Sequence, residues 1–139
     1  MKKTDCCLEN THYLILYFGN LDTPECREFQ EQLRLCHPKI IRNHILEIVY
    51  VSCDVHEDSY DTNRKFFPFL SVPFEQKQLR ISLSTKYQVK IIPSYVLLDS
   101  NGFILTNDRA WPFYDKNCLN FPWKGEAKVK KNKGECLLN

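Results

Sequence analysis

The sequence predicts an α/β fold built on a mixed sheet, and three observations point to it. A continuous apolar run, "YLILYF" at 13–18, is followed by a helical pattern and then by a second strand-like run, "LEIVYVS" at 46–52. An apolar run of that length suits a strand covered on both faces, as in a sheet with helices on each side. Further on, "IIPSYVLLDSNGFIL" (91–105) holds two apolar strands, 94–99 and 103–105, around Asn101-Gly102. That dipeptide supplies the positive φ angles a tight hairpin needs. Two strands joined by a helix must run parallel with a right-handed crossover, whereas hairpin strands run antiparallel. The predicted sheet therefore has a parallel half and an antiparallel edge.

Each element between these landmarks has a local reason. Thr23 and Pro24 stand in the order that opens a helix, a hydroxyl N-cap followed by proline at the first helical position. Phe29, Leu33, Cys36 and Ile40 then recur at spacings of four, three and four, one buried helical face. Pro38 lies inside that pattern and predicts a kink or an early end, since proline removes a helical hydrogen bond. Residues 57–66, "EDSYDTNRKF", read as a short helix over the sheet, and "FPFLSVPFE" (67–75) as a proline-broken connection. In 75–87, "EQKQLRISLSTKY", Leu79, Leu83 and Tyr87 share a helical face. The predicted order is β-α-β-α-α-β-β, with no internal repeat.

Composition narrows the class of protein. The chain has 139 residues, 43% of them hydrophobic and 13% aromatic, with four glycines, enough for one ordinary core. Residues 124–139 carry five lysines against two acids, +3, and leave the first 123 residues at −1. This stretch lacks an amphipathic stripe and reads as a solvated, flexible tail rather than a nucleic-acid or membrane-binding element. Seven cysteines (Cys6, Cys7, Cys26, Cys36, Cys53, Cys118 and Cys136) form an odd set without framework-like spacing. That argues against a secreted disulfide scaffold. With no apolar leader in "MKKTDCCLENTH", reduced cytoplasm is the expected compartment. Cys6 and Cys7 are possible lipid acceptors, but Lys2 stands where N-myristoylation needs glycine. Cys53-x-x-His56 and Cys36-His37 supply metal-ligand types without two well-spaced pairs, so neither a metal nor another cofactor is expected.

The element order, with a cysteine in the first turn after the first strand and a proline opening the hairpin, resembles the thioredoxin-like fold. The resemblance is to its tryparedoxin and nucleoredoxin branch. There the first strand is followed by Y-F-S-A-x-W-C-P-P-C-R-x-F, and here by "YFGNLDTPECREF" (17–29). The register continues through "VYVSCDVHEDSY" (49–60), "FLSVPFE" (69–75), "LSTKYQVKIIPSYVLLDSNG" (83–102) and "FPW" (121–123). Asp22 and Thr23 replace the tryptophan and first cysteine of that motif, and Glu25 replaces its second proline. The family's N-terminal hairpin and C-terminal helix are expected to be reduced or absent. The expected organisation is an extension at 1–12, a thioredoxin-like domain at 13–123 and the basic tail at 124–139.

The resemblance implies thiol-disulfide exchange and, with it, a possible oxidoreductase. In the family the first cysteine attacks a substrate disulfide and the second resolves the mixed disulfide. Thr23 occupies the first position and forms no anion near neutral pH, while no histidine or lysine in the motif activates it. Cys26, at the third helical position, keeps the resolving half. Asp22 and Glu25 disfavour its thiolate and Arg27 offsets them in part. Two readings stay open for it, a half-buried structural thiol and a single-cysteine redox site for glutathione or protein thiols. Cys53 is expected on the same sheet edge as Cys26, but a bridge needs Cα atoms within about 7 Å, which non-adjacent loops rarely provide. Pro93 corresponds to the family's cis-proline, which leaves the backbone of Ile92 able to pair with an extended substrate segment. The groove of 20–26 and 91–93 is thus an expected binding surface even without redox chemistry. Trp111, Trp123 and Arg109 have packing roles, and His12 and His44 flank strands.

Overall fold

The computed structural model describes residues 12–127. Cys6, Cys7, Cys136 and most of the basic tail lie outside this span. Five strands, β1 (His12–Gly19), β2 (Ile45–Ser52), β3 (Leu70–Ser71), β4 (Ser94–Leu98) and β5 (Ile104–Thr106), form one sheet in the order β3-β2-β1-β4-β5. β1 and β2 are parallel, as are β2 and β3, while β4 runs antiparallel to β1 and to β5. The helices are α1 (Pro24–Ile40), α2 (Glu57–Phe66), α3 (Lys77–Lys86) and α4 (Trp111–Tyr114). β3 and α4 are additions to the predicted order. Both are short, and neither is long enough to show a period of its own.

β1 is central, and its side chains alternate between two cores, as strand geometry requires. Ile15 and Tyr17 join Ile48, Tyr50, Tyr95 and Leu97 against Phe29, Leu33, Cys36 and Ile40 of α1. Leu16 and Phe18 join Val51, Val96 and Leu98 on the other face, where Leu83, Tyr87 and Ile92 pack. The spacing-derived face of α1 is therefore buried as expected. On α3 the expected face is only partly covered: Leu83 and Tyr87 pack, but Leu79 is 43% exposed.

Two details differ from expectation. α1 passes Pro38 and ends at Ile40, with the Ile41 amide closing on the His37 carbonyl at 3.0 Å. The proline removes only the bond to Arg34, on the exposed side of the last turn. The ordered body also continues beyond 123. Trp123 and Ala127 are fully buried, Trp123 stacks on Trp111, and the Ala127 amide donates to Asp108 Oδ2 at 2.8 Å. Residues 124–127 thus pack on the domain, because the indole of Trp123 draws the chain back across the sheet. Among the described residues no helix is long and apolar enough to cross a membrane.

Candidate thiol site and its buried polar support

The site lies at the C-terminal end of β1. Loop 20–23 leads into α1, with Thr23 at the N-cap in an extended conformation (φ −86°, ψ 121°) and Pro24 in the first turn. The Thr23 carbonyl accepts from the amides of Cys26 and Arg27 at 3.0 and 3.1 Å. The Thr23 hydroxyl makes no capping bond, contrary to the sequence expectation. It turns instead to the Cys26 sulfur, and the Asn20 side chain accepts from the Thr23 amide at 2.9 Å.

Cys26 is fully buried rather than half-buried. Burial pushes its thiol above the ordinary cysteine range. The Asn20 amide, the Tyr17 hydroxyl and the Thr23 hydroxyl border the sulfur and partly offset that rise, while the Asp54 charge adds to it. The acidic influence therefore comes from Asp54, not from Asp22 or Glu25. Arg27 does not compensate, because its guanidinium is tied to the carbonyls of Leu21 and Asp22 at 2.8 and 3.2 Å.

Cys53 follows β2, and its amide donates to the Gly19 carbonyl at 2.8 Å, so it shares the sheet edge with Cys26. Burial, then the Cys26 and Asp54 charges, push its thiol up to about 11, with Arg80 opposing. Both thiols are free. The Ile92–Pro93 peptide is cis. The β1/β4 register pairs Phe18 with Ser94, which sets Gly19 opposite Pro93 and brings the 91–93 segment beside loop 20–23. Pro93 is buried, its carbonyl accepts from Arg109 Nη1 at 2.9 Å, and Ile91 is 60% exposed. Arg109 thus does more than pack. Among the described residues no group of three or more metal-ligating side chains converges.

Behind the thiol lies a polar network that sequence reasoning missed. Asp54 Oδ2 accepts from Tyr50 at 2.6 Å and Ser52 at 2.7 Å, and its Oδ1 from the Leu21 amide at 2.8 Å. Asn63 Nδ2 donates to the Tyr50 hydroxyl at 2.9 Å and to Gln30 Oε1 at 3.1 Å, and Gln30 Nε2 returns a bond to Asn63 Oδ1 at 2.6 Å. The Tyr17 hydroxyl donates to Gln30 Oε1 at 3.2 Å and to the Cys26 carbonyl at 3.1 Å. Both tyrosine hydroxyls are held neutral, chiefly by burial. Gln30 and Asn63 offered a signal, polar side chains on the apolar faces of their helices. Gly19 offered another, since a Cβ there would overlap the Tyr17 hydroxyl. Chemically, the arrangement is one shielded thiol bordered by the Asn20 amide and the Tyr17 and Thr23 hydroxyls.

Residues 10–104 match the family model described as Thioredoxin-like. Nucleoredoxin of Bos taurus is 30% identical over 141 residues, 94% of this chain and 32% of that protein; the chain spans about a third of the nucleoredoxin's length. Tryparedoxin of Trypanosoma brucei brucei is 29% identical over 112 residues, covering 79% of this chain and 78% of that one. Among solved structures, tryparedoxin I from Leishmania major superimposes with a TM-score of 0.77 at 28% identity, covering 85% of this chain and 83% of that one. A tryparedoxin II solved in complex with glutathionylspermidine gives a TM-score of 0.78 at 25% identity, covering 84% and 83%. With the sheet order, the thiol in the first turn of α1 and these similarities, the chain belongs to the thioredoxin-like redox family, in its tryparedoxin and nucleoredoxin branch.

Proposed function

We propose that the chain binds thiol-bearing segments in the groove of 20–26 and 91–93 and exchanges slowly with them through the single thiol of Cys26. Efficient dithiol oxidoreduction is lost. In the exchange, the Cys26 thiolate attacks one sulfur of a partner disulfide, a new S–S bond forms, and the other sulfur leaves as thiolate. Its partners are protein thiols or glutathione-type thiols; a related tryparedoxin holds glutathionylspermidine. The observation that carries the reading is the Thr23 hydroxyl lying against the Cys26 sulfur, where the family motif places the attacking cysteine. The amide and hydroxyls around Cys26 suit a thiolate once a partner displaces the cover, but nothing supplies the first thiol. Cytoplasm, as a reducing compartment, suits a free thiol of this kind.

The full burial of Cys26 favours a second reading, a binding module without a redox step that uses the same groove near Pro93 and the Ile92 backbone. Peptide-resolved alkylation of Cys26 against pH, followed by reaction with oxidised glutathione, tests both. The single-thiol reading expects slow labelling that rises only above the free-thiol pKa of about 8.5, and a slowly formed mixed disulfide. An apparent pKa well below that value would overturn the claim of weak chemistry. No mixed disulfide at any ratio, with peptide binding retained in Cys26→Ser, would leave the binding module.

A further inference from the structure

Cys36 sits on the buried face of α1, 2% exposed, far from the end that carries Cys26. After α4 the chain folds back over it. Cys118 Sγ lies 3.9 Å from the Cys36 carbonyl, Cys36 Sγ lies 4.0 Å from the Pro112 carbonyl, and the two thiols influence each other's titration. Both are free. We propose that Cys118 and Cys36 are a second redox pair, which closes to a disulfide fastening the 115–120 loop to α1 when a glutathione-type disulfide enters the cleft beside Cys118.

The loop is built to hold Cys118 in place. The Cys118 residue takes a left-handed conformation (φ 58°), and its amide donates to the Asp115 carbonyl at 2.8 Å. The Asp115 carboxylate, itself buried, accepts from the Leu119 amide at 3.1 Å and, through Oδ2, from the Asn120 amide at 2.8 Å and the Trp123 indole at 2.9 Å. Lys39 ties the loop to α1 from outside, donating to the Lys116 carbonyl at 3.0 Å. An S–S bond needs the two Cβ atoms to approach to about 4 Å, and the 3.9 Å contact of Cys118 Sγ with the Cys36 carbonyl sets the two residues side by side for it.

The two thiols are unequal in the way attack and resolution require. Cys118 is half-exposed and Cys36 is enclosed. Contact with the Cys36 thiol lowers the pKa of Cys118, and the Lys39 ammonium assists, while burial and then the Asp115 charge oppose it. Cys118 opens onto a cleft of about 440 Å³ whose walls include Lys39, Arg42, His44, Asn117 and Phe121, with no carboxylate among them. Two cations beside a nucleophilic sulfur select a small disulfide that carries carboxylates, as oxidised glutathione does.

The reaction balances without another reagent. The Cys118 thiolate attacks one sulfur of oxidised glutathione, forming a mixed disulfide and releasing the first glutathione as thiolate. Cys36 then gives up its proton and attacks Cys118 Sγ, and the second glutathione leaves. The protein dithiol is oxidised by two electrons, and the disulfide is reduced to two glutathione molecules. Cys26 takes no part.

The test equilibrates the full-length reduced chain in glutathione buffers of increasing oxidised fraction, blocks remaining thiols with N-ethylmaleimide and maps peptides by mass spectrometry. The expected result is a cross-linked pair of peptides containing Cys36 and Cys118 with both residues lost to alkylation, unchanged in Cys26→Ser. In Cys118→Ser, a mild change at a half-exposed position, Cys36 is expected to stay reduced. In Cys36→Ser, if circular dichroism shows it folded, glutathione should remain on Cys118. Separate alkylation of Cys36 and Cys118 at every ratio, or a wild-type Cys118 that stops at the mixed disulfide, would overturn the proposal.

Discussion

Thr23→Cys should restore dithiol exchange, and the structure sets how much. Position 23 is half-exposed, stands at the N-cap of a 17-residue helix, and points its side chain at the Cys26 sulfur. A cysteine at such a helix start has a pKa of about 7 in related redox sites, against about 8.5 for a free thiol. At pH 7 that raises the thiolate fraction from roughly 3% to about half, around fifteenfold. The lower basicity returns part of this gain: with a Brønsted slope of about 0.5, nucleophilicity falls roughly fivefold, leaving about threefold in the attack itself. The larger effect is the second step. Cys26 would then resolve an adjacent mixed disulfide as an intramolecular nucleophile, a change that in favourable geometry is worth orders of magnitude. The variant loses one hydroxyl contact at a half-exposed position, at a cost of about 1 kcal/mol, so it should stay folded. Insulin-disulfide reduction driven by dithiothreitol is the assay, and the variant is expected to exceed the wild type by tenfold or more. A folded Thr23→Cys no faster than wild type would refute the idea that the missing thiol is what limits this site. A wild type already as fast as the variant would refute it equally.

Other consequences can be checked with less effort. Gly19→Ala forces a Cβ into the Tyr17 hydroxyl and should destabilise the fold by about 1–3 kcal/mol, read as a lower denaturant midpoint with an unchanged m-value. Asn63→Leu strands Gln30 and Tyr50 and should cost about 3 kcal/mol, more than the same change at exposed Asn117; equal effects would contradict the network. Cys53, held up to about 11 against an ordinary 9.0, keeps its proton longer folded than unfolded. Its contribution is therefore intact below about pH 9 and lost as pH rises toward 11, a fall of roughly 1–2 kcal/mol after allowing for its partial exposure. Cys53→Ser should flatten that part of the stability profile in equilibrium unfolding across pH. Asp115→Ala removes the acceptor of three hydrogen bonds that hold the 115–120 loop and should lower Tm by several degrees.

The sequence by itself determined the longer strands and helices and their order, because those follow from patterns carried within a dozen residues, whereas the two-residue β3 and four-residue α4 carry no such pattern. The apolar run at 13–18 could be buried only on two faces, the four-three-four spacing from Phe29 to Ile40 marked one helical face, and Thr23-Pro24 marked where α1 begins. The register with the tryparedoxin and nucleoredoxin branch also located Cys26, Thr23 and Pro93. It did not show what surrounds them. Whether the Thr23 hydroxyl caps a helix or faces a sulfur, and whether Cys26 is covered or open, depends on Asn20, Tyr17 and Asp54, which the fold brings in from β1 and beyond β2. Trp123 was legible as an aromatic but not as the anchor that carries residues 124–127 onto the domain. Cys36 looked like one more apolar position on α1 until a loop 82 residues later set Cys118 against it. Periodicity reports the neighbours a residue has along the chain, whereas burial, charge and thiol pairing are set by neighbours across it, and those exist only once the sheet has assembled.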